Sequence, residues 1–192
     1  MGSVLVIGGG AAGLAAAIAA AECGDTVTVA EKMDRVGKKI LATGNGRCNL
    51  MNTGAPRYPG NAAFAANVLS QCGAEAQKAF WEHLGLRLRQ EEAGRVYPVS
   101  SQASSVLDAL RLQLTALHVR VVTGVPITAL NRESDGWTAL SADGQRFRAN
   151  RVIISGGGCA QPKLGSDGSA LRLLTNLGCP ATPFAPALTQ II

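Results

Sequence analysis

The sequence is poor in aromatic residues, and its basic residues form no cluster. Aromatic side chains make up 4% of the 192 residues, too few to build a stacking platform for single-stranded nucleic acid. The formal net charge is +5, but no block of five or six like charges occurs, which is typical of a solvated surface rather than of a polyanion-binding face. We therefore expect no nucleic-acid partner.

Paired cysteines, metal-spaced histidines and long apolar runs are also missing. The five cysteines form no CxxC pair, which argues against a disulfide framework and against a zinc site. No charged segment precedes the first apolar run, and the Ala-rich stretch at 11–23 is too short to cross a bilayer. The sequence thus predicts a cytoplasmic protein with no metal site and no membrane partner.

Glycine, by contrast, is abundant and concentrated in short clusters. The chain has 23 glycines, a share well above the average of about 7%. They gather at Gly8-Gly9-Gly10, at Gly44 and Gly46, and at Gly156-Gly157-Gly158. Because glycine lets a backbone turn tightly and approach a ligand closely, these clusters predict binding loops.

The first cluster lies between a strand pattern and a helix pattern. Ser3–Ile7 is a continuous apolar run typical of a buried parallel strand. An Ala-rich helix is predicted at 11–23 and a second strand at 26–30, so residues 3–31 form a βαβ core. Within it, Gly8 permits a tight turn, Gly10 lets the backbone reach a pyrophosphate, and Gly13 allows close packing of helix and strand.

The second strand of this core ends at an acidic residue, Glu31. A carboxylate at this point accepts hydrogen bonds from ribose hydroxyls and disfavours a 2′-phosphate. The ligand of this core is therefore predicted to be FAD or NAD rather than NADP. Its candidate contacts are Gly8, Gly10, Ala11, Ala12, Gly13 and Glu31.

The rest of the chain does not continue as further βα units. We predict a long ordered loop at 32–60, a helical section at 61–117, a β-meander at 125–149, a closing strand and glycine loop at 151–168, and a helix at 167–177. The helical section holds helices at 62–71 and 74–84, a strand pair at 86–89 and 95–97, and a helix that Ser100-Ser101 caps. Residues 188–192 are typical of a strand that is just beginning. We therefore expect one FAD-binding domain at 1–188 and the start of a missing second domain at 189–192.

This order of elements is similar to that of the glutathione-reductase-like flavoproteins, in which a β-meander forms a crossover. Ser155-Gly156-Gly157 resembles the strand-end segment of those proteins that approaches the flavin, with Ser155 where a Thr usually stands. The predicted fold class is therefore α/β, a Rossmann-like FAD-binding domain of the two-dinucleotide type. Its parallel central sheet carries the meander crossover and a helical insertion.

A second group of motifs narrows the family. These motifs are Gly37-Lys38-Lys39-Ile40-Leu41, Gly44-Asn45-Gly46-Arg47-Cys48-Asn49 with Asn52, Gly94-Arg95-Val96-Tyr97-Pro98, Ser101-Gln102-Ala103, Pro162 with Gly165-Ser166-Asp167-Gly168, and Pro186-Ala187-Leu188. With them the chain resembles the BaiN/YhiN-like flavoproteins, also known as aminoacetone-oxidase-family or NAD(P)/FAD-dependent oxidoreductases. The family usually has Gly at the position of Asn45. Its members are about twice as long, which implies a missing C-terminal substrate-side domain.

The resemblance implies roles for the middle loop. Arg47 would lie against the pyrimidine end of the flavin or on the pyrophosphate, and Asn49 would bond the polar edge of the ring. Alternatively, Arg47 pairs with a carboxylate, and Gly44 and Gly46 only shape a turn. Cys48 and Cys159 are expected to be small packed thiols. The candidate cofactor contacts of this loop are Gly44, Gly46, Arg47, Cys48 and Asn49, and the remaining ones are Lys32, Lys39, Val125, Ser155, Gly156 and Gly157.

The leading functional hypothesis is an FAD-dependent oxidoreductase that acts on a small organic substrate, with NAD(P)H or oxygen as the other redox partner. The resemblance implies either reduction of a conjugated or keto substrate or oxidation of a small amine. The alternatives are a truncated, non-catalytic FAD-binding module, an NAD-binding Rossmann dehydrogenase and an FAD-dependent RNA-modifying protein. His83 and His118 are expected to serve packing or the surface, so no catalytic acid or base is assigned.

Overall fold

A computed structural model describes residues 1–55, 58 and 60–185. The chain divides into two compact units, one made of residues 1–39 together with the chain from Leu114 onward, the other of Ile40–Gln113. The resemblance at 186–188 and the expected second domain at 189–192 lie outside the described residues. Among the described helices, none combines the length and the apolar character that a membrane span needs.

A four-stranded parallel sheet forms the centre of the first unit. Its strands are β1 (Ser3–Ile7), β2 (Thr26–Ala30), β6 (Arg120–Val122) and β10 (Arg151–Ile154), in the order β10-β1-β2-β6. Strand β1 has four apolar, buried residues after Ser3, as is typical of a strand with neighbours on both sides and both faces covered. The predicted parallel βαβ core is confirmed.

The first helix, α1 (Ala11–Glu22), connects β1 to β2. Its buried residues are Gly13, Leu14, Ala17 and Ile18, which share one face at helical spacing. Small residues at Gly13 and Ala17 let the helix lie close to the sheet. Its first turn therefore stands directly beyond the carboxyl end of β1.

The predicted meander is an antiparallel sheet of β7 (Ile127–Arg132), β8 (Trp137–Ser141) and β9 (Arg146–Ala149). One face buries Leu130, Ala139 and Phe147 in a core shared with Leu5 and Leu173. The last helix of the unit, α6 (Ser169–Asn176), carries Leu173 into this core. The meander thus covers the parallel sheet beside the carboxyl end of β1.

Helix α6 begins later than the predicted residue 167. Gly168 has a left-handed φ of +81°, and the Oδ1 atom of Asp167 accepts a hydrogen bond from the N–H of Ser169 at 3.0 Å. Asp167 therefore precedes the helix and bonds its first turn, and its side chain is available to other partners.

The second unit combines a small sheet with helices. The predicted loop at 32–60 contains α2 (Lys38–Leu41), a 3₁₀ turn at Thr43–Gly46 and β3 (Met51–Asn52). The later elements are α3 (Ala62–Gln71), α4 (Ala74–His83), β4 (Leu88–Gln90), β5 (Arg95–Pro98) and α5 (Ala103–Ala116). The prediction of a loop without strands was wrong for β3, which pairs antiparallel with β5 and is too short to give a periodic pattern.

Helix α5 starts at Ala103, two residues after the predicted cap. Ser101 adopts a left-handed φ of +52° in a turn, and the Ser100 hydroxyl accepts a hydrogen bond from the N–H of Gln102. Val106, Leu107 and Leu110 are buried. Their spacing places them on one face of the helix, which is therefore its apolar, packed face.

Candidate cofactor site

The first unit contains a cavity of about 490 Å³ beside the carboxyl ends of β1, β2 and β10. Open α/β sheets bind their ligands at this edge, where strand order reverses between neighbouring connections. Eleven of the contacts predicted from the sequence line this cavity, namely Gly8, Gly10, Ala11, Ala12, Glu31, Lys32, Lys39, Val125, Ser155, Gly156 and Gly157. Residues far apart in the sequence therefore meet at one place.

The three glycines of the first motif have three different environments. Gly8 has a left-handed φ of +106°, and a Cβ there would lie 2.8 Å from the backbone N of Gly156. A Cβ on Gly13 would lie 1.9 Å from the carbonyl oxygen of Gly8, so this glycine permits close packing without lining the cavity. A Cβ on Gly10 would meet no protein atom within 4 Å. The backbone at Gly10 is thus open to a ligand.

The amino terminus of α1 lies at the cavity without a side-chain cap. Gly10 is the N-cap residue, it supplies no side-chain hydrogen bond, and the first turn contains no acidic residue. Ala11 and Ala12 line the cavity with backbone and methyl groups alone. The free N–H groups and the partial positive charge of a helix end form a site suited to a phosphate group.

Glu31 is the buried carboxylate of the cavity, 8% exposed. Its Oε2 atom accepts a hydrogen bond from the N–H of Gly9 at 2.6 Å, and its Oε1 atom accepts one from the N–H of Met33 at 2.8 Å. The backbone of Glu31 also bonds Val122 and Val125, which keeps this strand end fixed. A carboxylate has lone pairs to spare beyond these two bonds, so it can also accept from ribose hydroxyls.

Two lysines that line the cavity are bound to the segment before α6. The amine of Lys32 lies 2.5 Å from Oδ1 of Asp167 and 3.0 Å from the hydroxyl of Ser169. The Lys32 ammonium, together with the hydroxyl and N–H of Ser169, holds the pKa of the Asp167 carboxyl well below its usual range. The amine of Lys39 donates instead to the neutral hydroxyl of Ser166 at 2.6 Å. Lys39 therefore brings a positive charge that its hydrogen-bond partner does not neutralise.

Several cavity residues were not assigned from the sequence. Those with polar, charged or loop-forming roles include Gly9, Arg35, Lys38, Ser166, Asp167, Ser169 and Arg172. Ser166 and Asp167 belong to a segment that matched the family pattern, but the sequence indicated no partner for either. Their lysine partners lie 127 and 135 residues earlier in the chain, a pairing that only the fold establishes.

The end of β10 approaches the first glycine cluster closely. The Ser155 hydroxyl lies 2.9 Å from the carbonyl oxygen of Gly8 and 3.1 Å from that of Ile7. Gly156 would place a Cβ 2.7 Å from the Cβ of Ala170, and Gly157 has a left-handed φ of +77°. Glycine is therefore required at both positions for the backbone to follow this path along the cavity.

The other five candidate contacts, Gly44, Gly46, Arg47, Cys48 and Asn49, belong to the second unit. The Arg47 guanidinium lies 2.5 Å from the Glu91 carboxylate and 4.1 Å above the centre of the Tyr97 ring. Together with Arg89 it lowers the pKa of Glu91. Pairing with a carboxylate is the alternative that the sequence left open for Arg47. Its contact with a flavin stays a prediction.

The backbone of this segment is left-handed at several positions. Gly44, Asn45, Gly46 and Cys48 have φ values between +53° and +81°. Asn tolerates this conformation better than other residues with a side chain, which accounts for Asn45 in this turn. Cys48 is a non-glycine residue held in the same region, so it stores backbone strain, a feature that clusters at functional sites.

The two cysteines singled out from the sequence differ in environment. Cys48 is buried as expected, and burial raises the pKa of its thiol. Cys159 is exposed, so the expectation of a packed thiol was wrong there. Among the described residues no group of His, Cys, Asp and Glu side chains could hold a metal ion.

The residues around the cavity fit the adenosine and pyrophosphate part of FAD. The uncapped helix end and the open glycine backbone suit a pyrophosphate, and the buried carboxylate at the end of β2 suits a ribose. The lining carries more basic than acidic side chains. The basic ones are Lys32, Arg35, Lys38, Lys39 and Arg172, and the acidic ones are Glu31 and Asp167. This balance suits an anionic ligand.

Comparison with known proteins finds relatives that are similar in sequence over most of this chain. The chain is 46% identical to the 3-dehydro-bile acid delta(4,6)-reductase of Clostridium scindens over its whole length, which is 47% of that protein. It is 24% identical to the ribosomal RNA dihydrouridine synthase of Haemophilus influenzae, over 93% of this chain and 46% of that protein. The chain thus spans about half the length of the curated relatives it matches.

Among solved structures, the fold is similar to that of the 3-ketosteroid-delta4-(5alpha)-dehydrogenase of Rhodococcus jostii RHA1. The TM-score is 0.67 at 18% identity, over 92% of this chain and 54% of that one. This likeness supports the Rossmann-like FAD-binding fold.

A family model settles the relationship suggested by the sequence motifs. The model described as the HI0933-like protein Rossmann domain matches residues 2–185. The resemblance to the BaiN/YhiN-like flavoproteins is confirmed by this match. The chain therefore belongs to the HI0933-like protein family and carries its Rossmann domain.

Proposed function

We propose that this chain holds FAD in the cavity of its first unit and forms the cofactor-binding part of an FAD-dependent oxidoreductase. The whole protein would transfer a hydride or an electron pair between the flavin and a small organic substrate, with NAD(P)H or oxygen as the other redox partner. The observation that carries the proposal is the uncapped amino terminus of α1 at a cavity that also contains the buried Glu31. FAD supplies the redox chemistry, and the residues of the chain bind and orient it.

Each part of the cavity has a separate task in this proposal. The N–H groups at Gly10, Ala11 and Ala12 bind the pyrophosphate, and Glu31 accepts the ribose hydroxyls. Lys39 adds a positive charge beside Gly157. Its amine lies 3.5 Å from the position that a Cβ on Gly157 would occupy. The Lys32 amine is already paired with Asp167, so it contributes less to the binding of an anion.

For the substrate, we propose a conjugated ketone of the kind named for the relative from Clostridium scindens. That relative is a reductase of a 3-dehydro-bile acid, and it is 46% identical to this chain. Its name favours reduction of a conjugated or keto substrate over oxidation of a small amine. The family resemblance by itself left both reactions open.

We further propose that Arg47 and Asn49 contact the flavin. A guanidinium near the pyrimidine end of the ring stabilises the reduced, anionic flavin and raises its reduction potential. Arg47→Ala should therefore lower the potential of bound flavin while leaving the affinity for ADP unchanged. An unchanged potential would mean that Arg47 serves only its contacts with Glu91 and Tyr97.

The decisive experiment is an absorbance spectrum of the purified chain before and after addition of FAD, followed by titration with NADH and NADPH. Bands near roughly 370 and 450 nm that persist after gel filtration would support FAD binding. Bleaching by a nicotinamide would support the oxidoreductase, and bound flavin that no nicotinamide bleaches would favour a non-catalytic FAD module. A chain that takes up no FAD would contradict the proposal.

A second candidate is an RNA-modifying flavoenzyme, favoured by the similarity to the ribosomal RNA dihydrouridine synthase of Haemophilus influenzae. RNA binding by this chain would weaken steeply as salt rises, because phosphate contacts release counterions. Gel-shift titrations with ribosomal RNA at two salt concentrations separate the candidates. Tight, salt-sensitive binding would favour the second candidate over a small-ketone reductase.

A further inference from the structure

The peptide unit between Gly8 and Gly9 is bonded by a side chain at each of its ends. Its carbonyl oxygen, on Gly8, lies 2.9 Å from the Ser155 hydroxyl. Its N–H, on Gly9, donates to Oε2 of Glu31 at 2.6 Å. The two side chains come from the ends of β10 and β2, the strands on either side of β1.

The Ser155 hydroxyl acts on Gly8 rather than on the strand ladder. The Ile7 carbonyl, 3.1 Å from this hydroxyl, already accepts the backbone N–H of Ser155 at 2.8 Å. The Gly8 carbonyl lies beyond the last pair of β1 and β10, which is Ile7 with Ile154. The hydroxyl therefore gives the Gly8 carbonyl a partner where the sheet no longer does.

Close packing leaves room for this hydroxyl only because residue 13 is glycine. A Cβ on Gly13 would lie 2.5 Å from the Ser155 oxygen and 1.9 Å from the Gly8 oxygen. The first turn of α1, the Gly8 carbonyl and the Ser155 hydroxyl thus meet at one point.

We propose that Ser155 is a positioning residue for the phosphate loop, and that it works by fixing the Gly8–Gly9 peptide. A peptide between two glycines can rotate at little steric cost, since neither residue has a Cβ. Rotation would turn the Gly8 carbonyl toward the cavity, where its negative end would repel a pyrophosphate. The Ser155 hydroxyl holds the carbonyl away from the cavity while Glu31 holds the N–H at the other end, and both bonds oppose the rotation. The inference rests on the proposed function, because it takes the loop to bind a pyrophosphate.

The test compares Ser155→Ala and Ser155→Thr with a control, Ser134→Ala, whose side chain is exposed in the turn between β7 and β8. Calorimetry measures the affinities for ADP, which has the pyrophosphate but no flavin, and for FAD. We expect Ser155→Ala to weaken both ligands by the same factor, about three- to tenfold for one lost hydrogen bond. Ser155→Thr, which keeps the hydroxyl, should restore both affinities.

A direct contact between Ser155 and the flavin would instead change the spectrum or the reduction potential of bound FAD in Ser155→Ala. If Ser155 positions the loop, the spectrum and reduction potential of bound FAD stay unchanged in Ser155→Ala. Unchanged ADP affinity with a shifted potential would overturn the proposal, as would failure of Ser155→Thr to restore binding. A parent chain that binds neither ADP nor FAD would overturn the proposed function as well. If Ser155→Ala does not fold, Ser155→Cys, with a weaker donor of similar shape, provides the same comparison.

Discussion

One added methyl group should lower stability at Gly13 but lower ligand affinity at Gly10. A Cβ on Gly13 would lie 1.9 Å from the Gly8 carbonyl oxygen, about 1.6 Å short of the optimal separation of two non-bonded heavy atoms. Alanine in a helix is favoured over glycine by about 1 kcal/mol, but forced overpacking costs about 1–3 kcal/mol, and the obstacle here is backbone. Because backbone cannot give way easily, the upper end of that cost applies, and we expect Gly13→Ala to lower the free energy of unfolding by about 2 kcal/mol net, or roughly 4–8 °C in Tm.

Gly10→Ala is the matched variant. The N-cap residue has φ −82°, which alanine adopts freely, and its Cβ would meet no protein atom within 4 Å. The unfolding free energy should therefore change by no more than about 1 kcal/mol, the cost of alanine at an N-cap. The same methyl would stand where the backbone faces the cavity, so it should weaken the binding of ADP and FAD, and Gly10→Val should weaken it further.

The assay is thermal and urea unfolding of both ligand-free variants, followed by titration of each with ADP. The expected pattern is loss of stability in Gly13→Ala and loss of affinity with retained stability in Gly10→Ala. Parental stability in Gly13→Ala would refute the close approach of α1 to the loop. Parental affinity in Gly10→Val would refute the location of the phosphate site.

Three further variants or measurements address the charges and the thiol. Lys39→Met should weaken ADP binding by about tenfold, whereas Lys32→Met should weaken it less because Asp167 already pairs with Lys32; calorimetry at low and high salt compares them. Glu31→Gln should lower the ligand-free unfolding free energy by about 1–3 kcal/mol in urea titrations, since the two N–H groups bond different carboxylate oxygens and the amide nitrogen that replaces one of them cannot accept. At pH 8 a thiol reagent should modify four cysteines quickly and Cys48 slowly, because burial raises the pKa of Cys48 and leaves less thiolate; equal rates for all five would contradict this.

Much of the fold could be predicted because its signals are local. The strands β1 and β2 are apolar runs next to glycines, and β10 begins where the closing strand was predicted to begin, at residue 151. Helices α3 and α4 also follow their predicted ranges within one residue. The strand β3 could not be predicted, because its two residues are strands only through their pairing with β5. The predicted start of α6 was two residues too early. Asp167 and Gly168 continue the polar pattern of the helix, but in the structure they precede it, and the Asp167 carboxylate bonds its first turn.

The cavity was predictable in part for the same reason. The glycine spacing and Glu31 lie within one short βαβ core, so the sequence alone indicates their chemistry. The partners of Lys32 and Lys39 follow from a fold that joins residues 135 and 127 positions apart. Whether a lysine at this rim is neutralised depends on that pairing, which no local pattern records.

The charges of the cavity show why this pairing matters for function. Lys32 faces the Asp167 carboxylate and Lys38 faces that of Asp34 at 2.7 Å, whereas Lys39 faces a hydroxyl. Ion pairs that are partly exposed contribute little to stability, so the first two pairs mainly fix the position of side chains. An ammonium held by a neutral group keeps its charge available to an anion. We therefore expect the affinity for a pyrophosphate to depend on backbone N–H groups in the loop that Glu31 orients. Among the lysines, Lys39 should contribute more to this affinity than either paired lysine.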